Sequence, residues 1–489
     1  MPVTRTAIGI SKLLLTALVC FAPLRAAFLR DGSELEVRLQ HRVGSRVSHV
    51  GDMVRAVIIA PVFDHDTVIV PAGATVSGVV DHVDRLGLGI RHTAARLDLQ
   101  FTQLDLSDGT VIPIDARVAS VEEAREIVSD TGVIIGIHPC ASFSTGVSGL
   151  FTLFIGEPEF GLPVLGFKFL AARSPDAEIT FPAGTEMVLR LTREVRLYPP
   201  ASYKPALSLL TVTQGAHLEH LLATLPQQQA SRDGTHPSDL INIALIGSQQ
   251  AIERAFRAAG WHAGERHGVM ALYHMYHCMV QRVGYSRAPM TNLRFNGNPP
   301  DAAFEKSLDT LAKRHHIRLW REAQSNVWLG AATEDVKYKV RALHITHATD
   351  PDIDNERAKI VNDLAFTGCI DRGALIPRVS LKTVQEDARS IVTDGDVAVL
   401  ELNGCDSPRS MPSDPQAARR IRAIRAAVAV SEDIVRSNPV SVGYAMTKSM
   451  LGHSKTPTND RGQAPGAYKR DIAISRIDET APARTLALR

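Results

Sequence analysis

Apolar and polar residues alternate along the first part of the chain: Leu35, Val37 and Leu39 share one face of ELEVRLQ, and Leu97, Leu99 and Phe101 share one face of RLDLQF. A period of two over short runs predicts half-buried strands. Turn chemistry punctuates them at VGD (50–52), VPAG (70–73), SDG (107–109) and FPAG (181–184), where glycine supplies backbone angles that other residues avoid. The segments VIVPAGATVSG (68–78) and ITFPAGTEMVL (179–189) both read strand, Pro-Ala-Gly turn, strand. Short strands at this spacing predict an antiparallel β-barrel or sandwich-like domain over residues 30–197. Within it, the apolar, glycine-rich stretch 146–172 carries Glu157, Pro158, Glu159 and Pro163. Two charges and two prolines argue against a bilayer span and leave a buried segment or a contact surface open.

The period changes after residue 197. Residues 198–238 are rich in Pro, Gln, Ser and Gly and read as a linker holding one short helix. LINIALIG (240–247) is an unbroken apolar run, hence a buried strand, and QQAIERAFRAAG (249–260) is an amphipathic helix closed by Gly260. Strands around 315, 328 and 343, a helix over 353–366 and the strand VAVLEL (397–402) complete a mixed α/β domain over residues 239–405. Residues 406–489 read as an Arg-rich helix followed by a disordered tail. The fold class is therefore α+β, an antiparallel barrel-like domain followed by a mixed α/β domain.

With 489 residues, 45% of them hydrophobic, the chain can bury two proper cores. Its 54 basic and 52 acidic residues nearly balance, so nothing points to nucleic acid. Arg5 and Lys12 precede the apolar run LLLTALVCFAP, with Ala26 and Ala27 behind it, and this three-part layout predicts a signal peptide over residues 1–27. Export to the periplasm or cell envelope follows. Five cysteines, at 20, 140, 278, 369 and 405, include no C-x-x-C pair. The four outside the signal could form up to two disulfides in three pairings, or remain buried thiols.

Two family resemblances add to this. GDMVRAVIIAPVFDHDTVIVPAGATVSGVV (51–80) resembles the barrel domain of TrbI-like conjugation and secretion proteins, which implies a cell-envelope assembly module. PSDLINIALIGS (237–248), AAGW (258–261), YSRAPM (285–290), AFEK (303–306), RHHIRLW (314–320), VWLGAATED (327–335) and THATDPDIDNERAKIVNDL (346–364) resemble, in order, the C-terminal domain of LssY-like proteins over residues ~200–405. That family implies the company of membrane proteins, lipid-phosphatase-like and transport-related ones among them, and no established reaction. Asn298 stands after Gly297 where the family usually has arginine, which weakens any anion role for that loop.

Three stretches carry candidate chemistry. As a strand, KRHHIRLW puts His315, Ile317 and Leu319 on one face and Arg314, His316, Arg318 and Trp320 on the other. His316 and Arg318 could hold a phosphate or carboxylate beside Trp320, or the arginine stems could lie over Trp320 with their heads in water. After HITH (344–347), whose two histidines face opposite ways on one strand, His347 joins Asp350, Asp352 and Asp354 as a ligand set for a divalent cation. The competing reading makes Asp352 or Asp354 a helix cap, with Glu356 pairing Lys359. Asn355 at the sixth position and Val361 at the twelfth exclude an EF-hand. In YHMYHC (273–278), His274, His277 and Cys278 would need further ligands to form a zinc site.

No nucleophile elbow, Walker loop, H-E-x-x-H or dinucleotide fingerprint occurs. The reading is an exported envelope protein that binds or assembles, as a secretion- or transport-related accessory. Its partners are envelope proteins or the membrane surface, with a homo-oligomer left open. The alternative is a metal-dependent phosphoester hydrolase at the membrane surface, using His316, Arg318, His347 and the three aspartates. It requires His316 and Asp354 around one cleft.

Overall fold

The computed structural model describes residues 27–64, 67–87, 92–138, 175–197, 210–226, 228–230, 237–291, 293–310, 312–322, 325–341, 344–378, 383–386, 389–409 and 470–474. The run read as a signal peptide, the apolar stretch 146–172, Cys140 and the Arg-rich segment lie outside them.

Six strands, β1 (Glu34–Leu39), β2 (Met53–Ile58), β3 (Thr75–Asp84), β4 (Arg96–Asp105), β5 (Val111–Val121) and β6 (Glu186–Leu191), pair antiparallel in chain order. Pairing of β6 with β1 closes the ring as a barrel. The alternating residues fill it: Leu35, Val37, Leu39, Leu97, Leu99 and Phe101 all lie in one core, fully buried. Both Pro-Ala-Gly turns end on a glycine in the left-handed region, Gly73 at φ 98° and Gly184 at φ 94°, which a side chain would disfavour. Their N–H groups donate to Ile58 and Leu39, so the sequence echo is a repeated hairpin device.

β1 departs from simple alternation, because its outward residues Glu36 and Arg38 are buried too. The second domain lies against that outer face.

That domain is a mixed sheet built on β7 (Ile243–Ile246), β8 (Ala302–Lys306), β9 (Arg314–Arg321), β10 (Val327–Arg341), β11 (His344–Thr349), β12 (Ile370–Pro377) and β13 (Asp396–Leu402). Its order is β8-β9-β10-β7-β13-β12, with β11 also on β10 and only β7 and β13 parallel. Helix α1 (Val212–Thr224), in the stretch read as linker, packs Leu218 and Leu222 onto one face with Trp320, Leu329 and Val399. Helices α2 (Gln249–Ala258) and α4 (Ile353–Phe366) cover the other face, where Phe256, Ile360 and Leu364 meet Ile317, Leu319 and Trp328. Ser248 caps α2 and Gly260, at φ 85°, follows its end.

Helix α3 (Val269–Gln281) differs from the others, since Val269, Met270, Leu272, Tyr273, Tyr276 and Met279 are exposed. Among the described residues no helix is long and apolar enough to cross a membrane. Arg470–Ile474, inside the stretch expected to be a disordered tail, is packed: Arg470 and Ile474 are buried, and Asn362 of α4 bonds Asp471 and Ala473.

A disulfide joins Cys369, just beyond α4, to Cys405, just beyond β13, with the Cα atoms 4.6 Å apart. It selects one of the open pairings and leaves Cys278 as a free, part-buried thiol. Closing this loop should stabilise the fold by about 4 kcal/mol through the unfolded state. Urea unfolding of Cys369→Ser/Cys405→Ser against the oxidised parent should show that loss; equal midpoints would mean the thiols are reduced in the working protein.

Candidate functional site

The site lies where the barrel meets α4 and β9, and it is made of charge. Every residue of α4 except Ala365 is buried, although ERAKIVND reads as a half-polar surface helix, because one side packs on the sheet and the other on the barrel. Two buried networks result.

The first network joins Arg38 of β1 and Glu186 of β6 to Lys306 of β8 and to Lys359 and Asp363 of α4. Arg38 Nε donates to Glu186 Oε1 at 2.9 Å, Lys306 Nζ reaches Glu186 at 2.6 Å and Asp363 at 2.9 Å, and Lys359 Nζ reaches Asp363 at 2.8 Å. Trp261 Nε1 donates to Asp363 at 2.9 Å, and Arg38 stacks over Phe366 at 5.1 Å. Burial works against charge here. Even so, Lys306, Lys359 and Arg38 hold Glu186 well below the usual carboxylate range, and they hold Asp363 below it as well. Lys359 thus pairs with Glu186 and Asp363 rather than with Glu356, the partner expected from helical spacing.

The second network centres on His315. Its Nδ1 lies 2.7 Å from Glu356 Oε2 of α4, and its Nε2 lies 3.4 Å from Glu122 Oε2 and 3.5 Å from Glu123 Oε1 of the barrel. Glu334 is its cross-strand neighbour on β10. Arg470 holds the other oxygen of Glu122 at 2.7 Å and reaches Glu36 at 3.1 Å. His315 is 1% exposed and Glu123 5% exposed, the latter at φ 52°, an uncommon backbone for glutamate. Among the described residues, His315 Nε2 and both Glu123 oxygens have no hydrogen-bond partner.

Burial pushes Glu123 well above the usual carboxylate range and Glu334 up to about 7. Although burial opposes it, Glu356 and Glu123 hold the His315 imidazole well above its ordinary value. Two groups of described residues bring three ligand atoms within 4.8 Å of one another: Glu122, Glu123 and His315; and His315, Glu334 and Glu356.

The residues singled out from sequence fall elsewhere. β9 is buried on both faces, so its basic face is not solvated. Arg318 is spent on Asp239 at 3.0 Å and the Thr291 carbonyl at 3.0 Å, and Trp320 donates to the Asn298 carbonyl at 3.1 Å. His316 sits 2.9 Å from the Thr333 hydroxyl, and burial pushes it down to about 3, so it is neutral. Those three residues form an internal network, without an open anion pocket.

His347, Asp350, Asp352 and Asp354 do not converge on one cation either. Asp350 accepts from the Asp352 N–H at 2.9 Å, Asp352 from the Asp354 N–H at 3.2 Å, and Asp354 from the Thr393 hydroxyl at 2.8 Å and the Asp394 N–H at 2.7 Å. The carboxylates tie a turn and cap α4, as helix termini require. His347 Nδ1 lies instead 3.5 Å from Asp335. His315 faces α4, so His316, its neighbour on the strand, faces away, and His316 and Asp354 share no cleft. In the histidine-rich helix, His274 approaches the Tyr285 hydroxyl at 3.4 Å and Cys278 the Gly284 carbonyl at 3.6 Å.

Sequence reasoning placed His315 on the core face but did not find its partners. Glu122 and Glu123 come from a different domain, and Glu334 and Glu356 looked like ordinary strand and helix acids. The adjacent acids of VEEAREI (121–127) are the one local signal.

Removing one member of a fully buried ion pair leaves the other charge unpaired, at about 3–5 kcal/mol. Lys359→Met should therefore cost several kcal/mol in urea unfolding; a loss below about 0.5 kcal/mol, typical of an exposed i,i+4 pair, would show that α4 is solvated. On the other face of β9, burial pushes Glu305 up to about 8 from an ordinary 4.5, although Arg314 lies 3.1 Å away. The folded chain keeps a proton that the unfolded chain releases, so this contribution is complete below about pH 4.5 and shrinks as pH rises to about 8. Stability measured between pH 5 and 8 should fall less steeply in Glu305→Gln than in the parent. Parallel curves would refute a protonated Glu305.

No curated protein matches the chain. Among solved structures it is similar to ComB10 of the Com type IV secretion system of Helicobacter pylori, at 13% identity over 36% of this chain and 92% of that chain, with a TM-score of 0.21. Residues 222–397, which hold most of the mixed sheet, the α4 cap and His315, match the model of the family described as LssY C-terminus, the family that its phrases resemble.

Proposed function

We propose that the protein is an exported component of the cell envelope that works by binding and assembly, as a secretion- or transport-related accessory. The observation that carries this reading is the outer face of α3. Val269, Leu272, Tyr273 and Tyr276 follow helical spacing on one stripe, Met279 extends it, and Val269 is 82% exposed. Such a stripe normally faces a core, and a contiguous exposed apolar patch marks an interaction site.

The partner we infer is another envelope protein. A helix that lies on a membrane surface carries Lys and Arg on its polar side, whereas Val269–Gln281 contains neither. Two observations agree with export and assembly. The Cys369–Cys405 disulfide suits an oxidising compartment. The buried charge networks also hold barrel and domain as one body able to present α3 in a fixed direction. The hydrolase alternative lacks support, because the residues it needed are not gathered around a cleft.

A photo-crosslinking amino acid at Tyr273, in cells expressing the full chain, should yield a discrete adduct with one envelope protein. That adduct should vanish when Leu272→Asp is added, with the melting temperature unchanged. Crosslinking to lipid alone, or an adduct that survives Leu272→Asp, would sink the protein-partner reading.

A further inference from the structure

We propose that the interface between barrel and C-terminal domain is a divalent metal site of zinc type, with Glu122 Oε2, Glu123 Oε1 and His315 Nε2 as ligands and Glu356 orienting the imidazole. This site is independent of whatever docks on α3.

The geometry carries the assignment. A tetrahedral ion with bonds of about 2.1 Å separates its ligand atoms by about 3.4 Å. His315 Nε2 stands 3.4 Å from Glu122 Oε2 and 3.5 Å from Glu123 Oε1, too far for hydrogen bonds of normal strength and at the spacing that a shared ion imposes. A histidine that binds metal through one nitrogen usually donates its other N–H to a carboxylate, which fixes the ring and its tautomer. His315 Nδ1 lies 2.7 Å from Glu356 Oε2 and meets that requirement.

Unpartnered groups make the same point separately. Glu123, 5% exposed, turns Oε1 toward His315 and has no hydrogen-bond partner for either oxygen among the described residues, and His315 Nε2, within ion-pair distance of Glu122 and Glu123, has no hydrogen bond either. Buried polar atoms are almost always satisfied, and a charge left alone there is costly. Arg470 occupies only the far oxygen of Glu122, so the near one is turned toward His315. Four carboxyl groups, those of Glu122, Glu123, Glu334 and Glu356, gather around one imidazole.

The ligands come from both domains, two from the turn that follows β5 and one from β9. A bound ion would therefore act as a bolt between barrel and domain. Three protein ligands leave a fourth position open to water or a partner's side chain.

The test uses the full-length, tag-free protein, stripped with chelator, dialysed against Zn2+ and analysed for metal by mass spectrometry, with direct Zn2+ titration. One Zn2+ per chain is expected. Glu123→Gln, close to the parent in shape, should lose that stoichiometric metal, and Glu356→Gln should bind it about 10–100-fold more weakly. Zn2+ should raise the melting temperature of the parent but not of Glu123→Gln. If Glu123→Gln fails to fold, Glu122→Gln takes its place, and the Co2+-loaded parent should show the optical bands of a four-coordinate site with a nitrogen ligand. A parent without stoichiometric metal overturns the proposal and means that protons neutralise the cluster. Stoichiometric metal retained by both glutamine variants overturns it as well.

Discussion

Burying charge away from water obliges each ion to find its opposite, and the junction between the two domains is organised by that requirement. Arg38 and Glu186 pair with each other on the barrel, and Lys306, Lys359 and Asp363 of the covering domain join that pair into one buried network. Asp363 and Lys359 likewise pair with each other on α4, and the barrel that buries them supplies Arg38 and Glu186 as further partners. Each domain thus completes the other's electrostatics. The contact is specific in register, because a slip of one residue along β1 would exchange Arg38 for Val37 and leave two carboxylates facing apolar groups.

The same junction explains why β9 and α4 carry so many polar residues in buried positions. His315 faces α4 and the barrel, while Arg314, His316 and Arg318 face an internal network with Glu305, Asp335 and Asp239. The phrase RHHIRLW is therefore polar on both faces for two reasons: one face completes the interface, the other closes the domain's own underside. Neither face is an open basic surface.

The proposed function rests on what remains outside these networks. The charged residues that looked like catalytic candidates are engaged with one another, with backbone or with a helix terminus. Among the described residues, α3 presents a stripe of exposed apolar side chains, and His315 and Glu123 are among the buried groups with unmatched atoms. A body with a rigid junction and an outward apolar helix suits a protein that holds others in place.

Much could be read without coordinates. Alternation at Leu35–Leu39 and Leu97–Phe101, together with turn glycines at 73 and 184, determined a closed antiparallel unit, because local sterics and one-sided burial act within a few residues. The runs 240–247 and 249–260 determined the strand and capped helix of the second domain for the same reason, and Asp352 could be read as the cap of α4. Long-range pairing could not be read. The periodicity of α4 described a surface helix and that of β1 a half-exposed strand, since hydrophobic pattern records burial against apolar groups and is silent about burial of one charge against another. Which glutamates would meet His315 depended on the docking of two domains whose contributing residues lie about two hundred positions apart, and only the tertiary structure decided it.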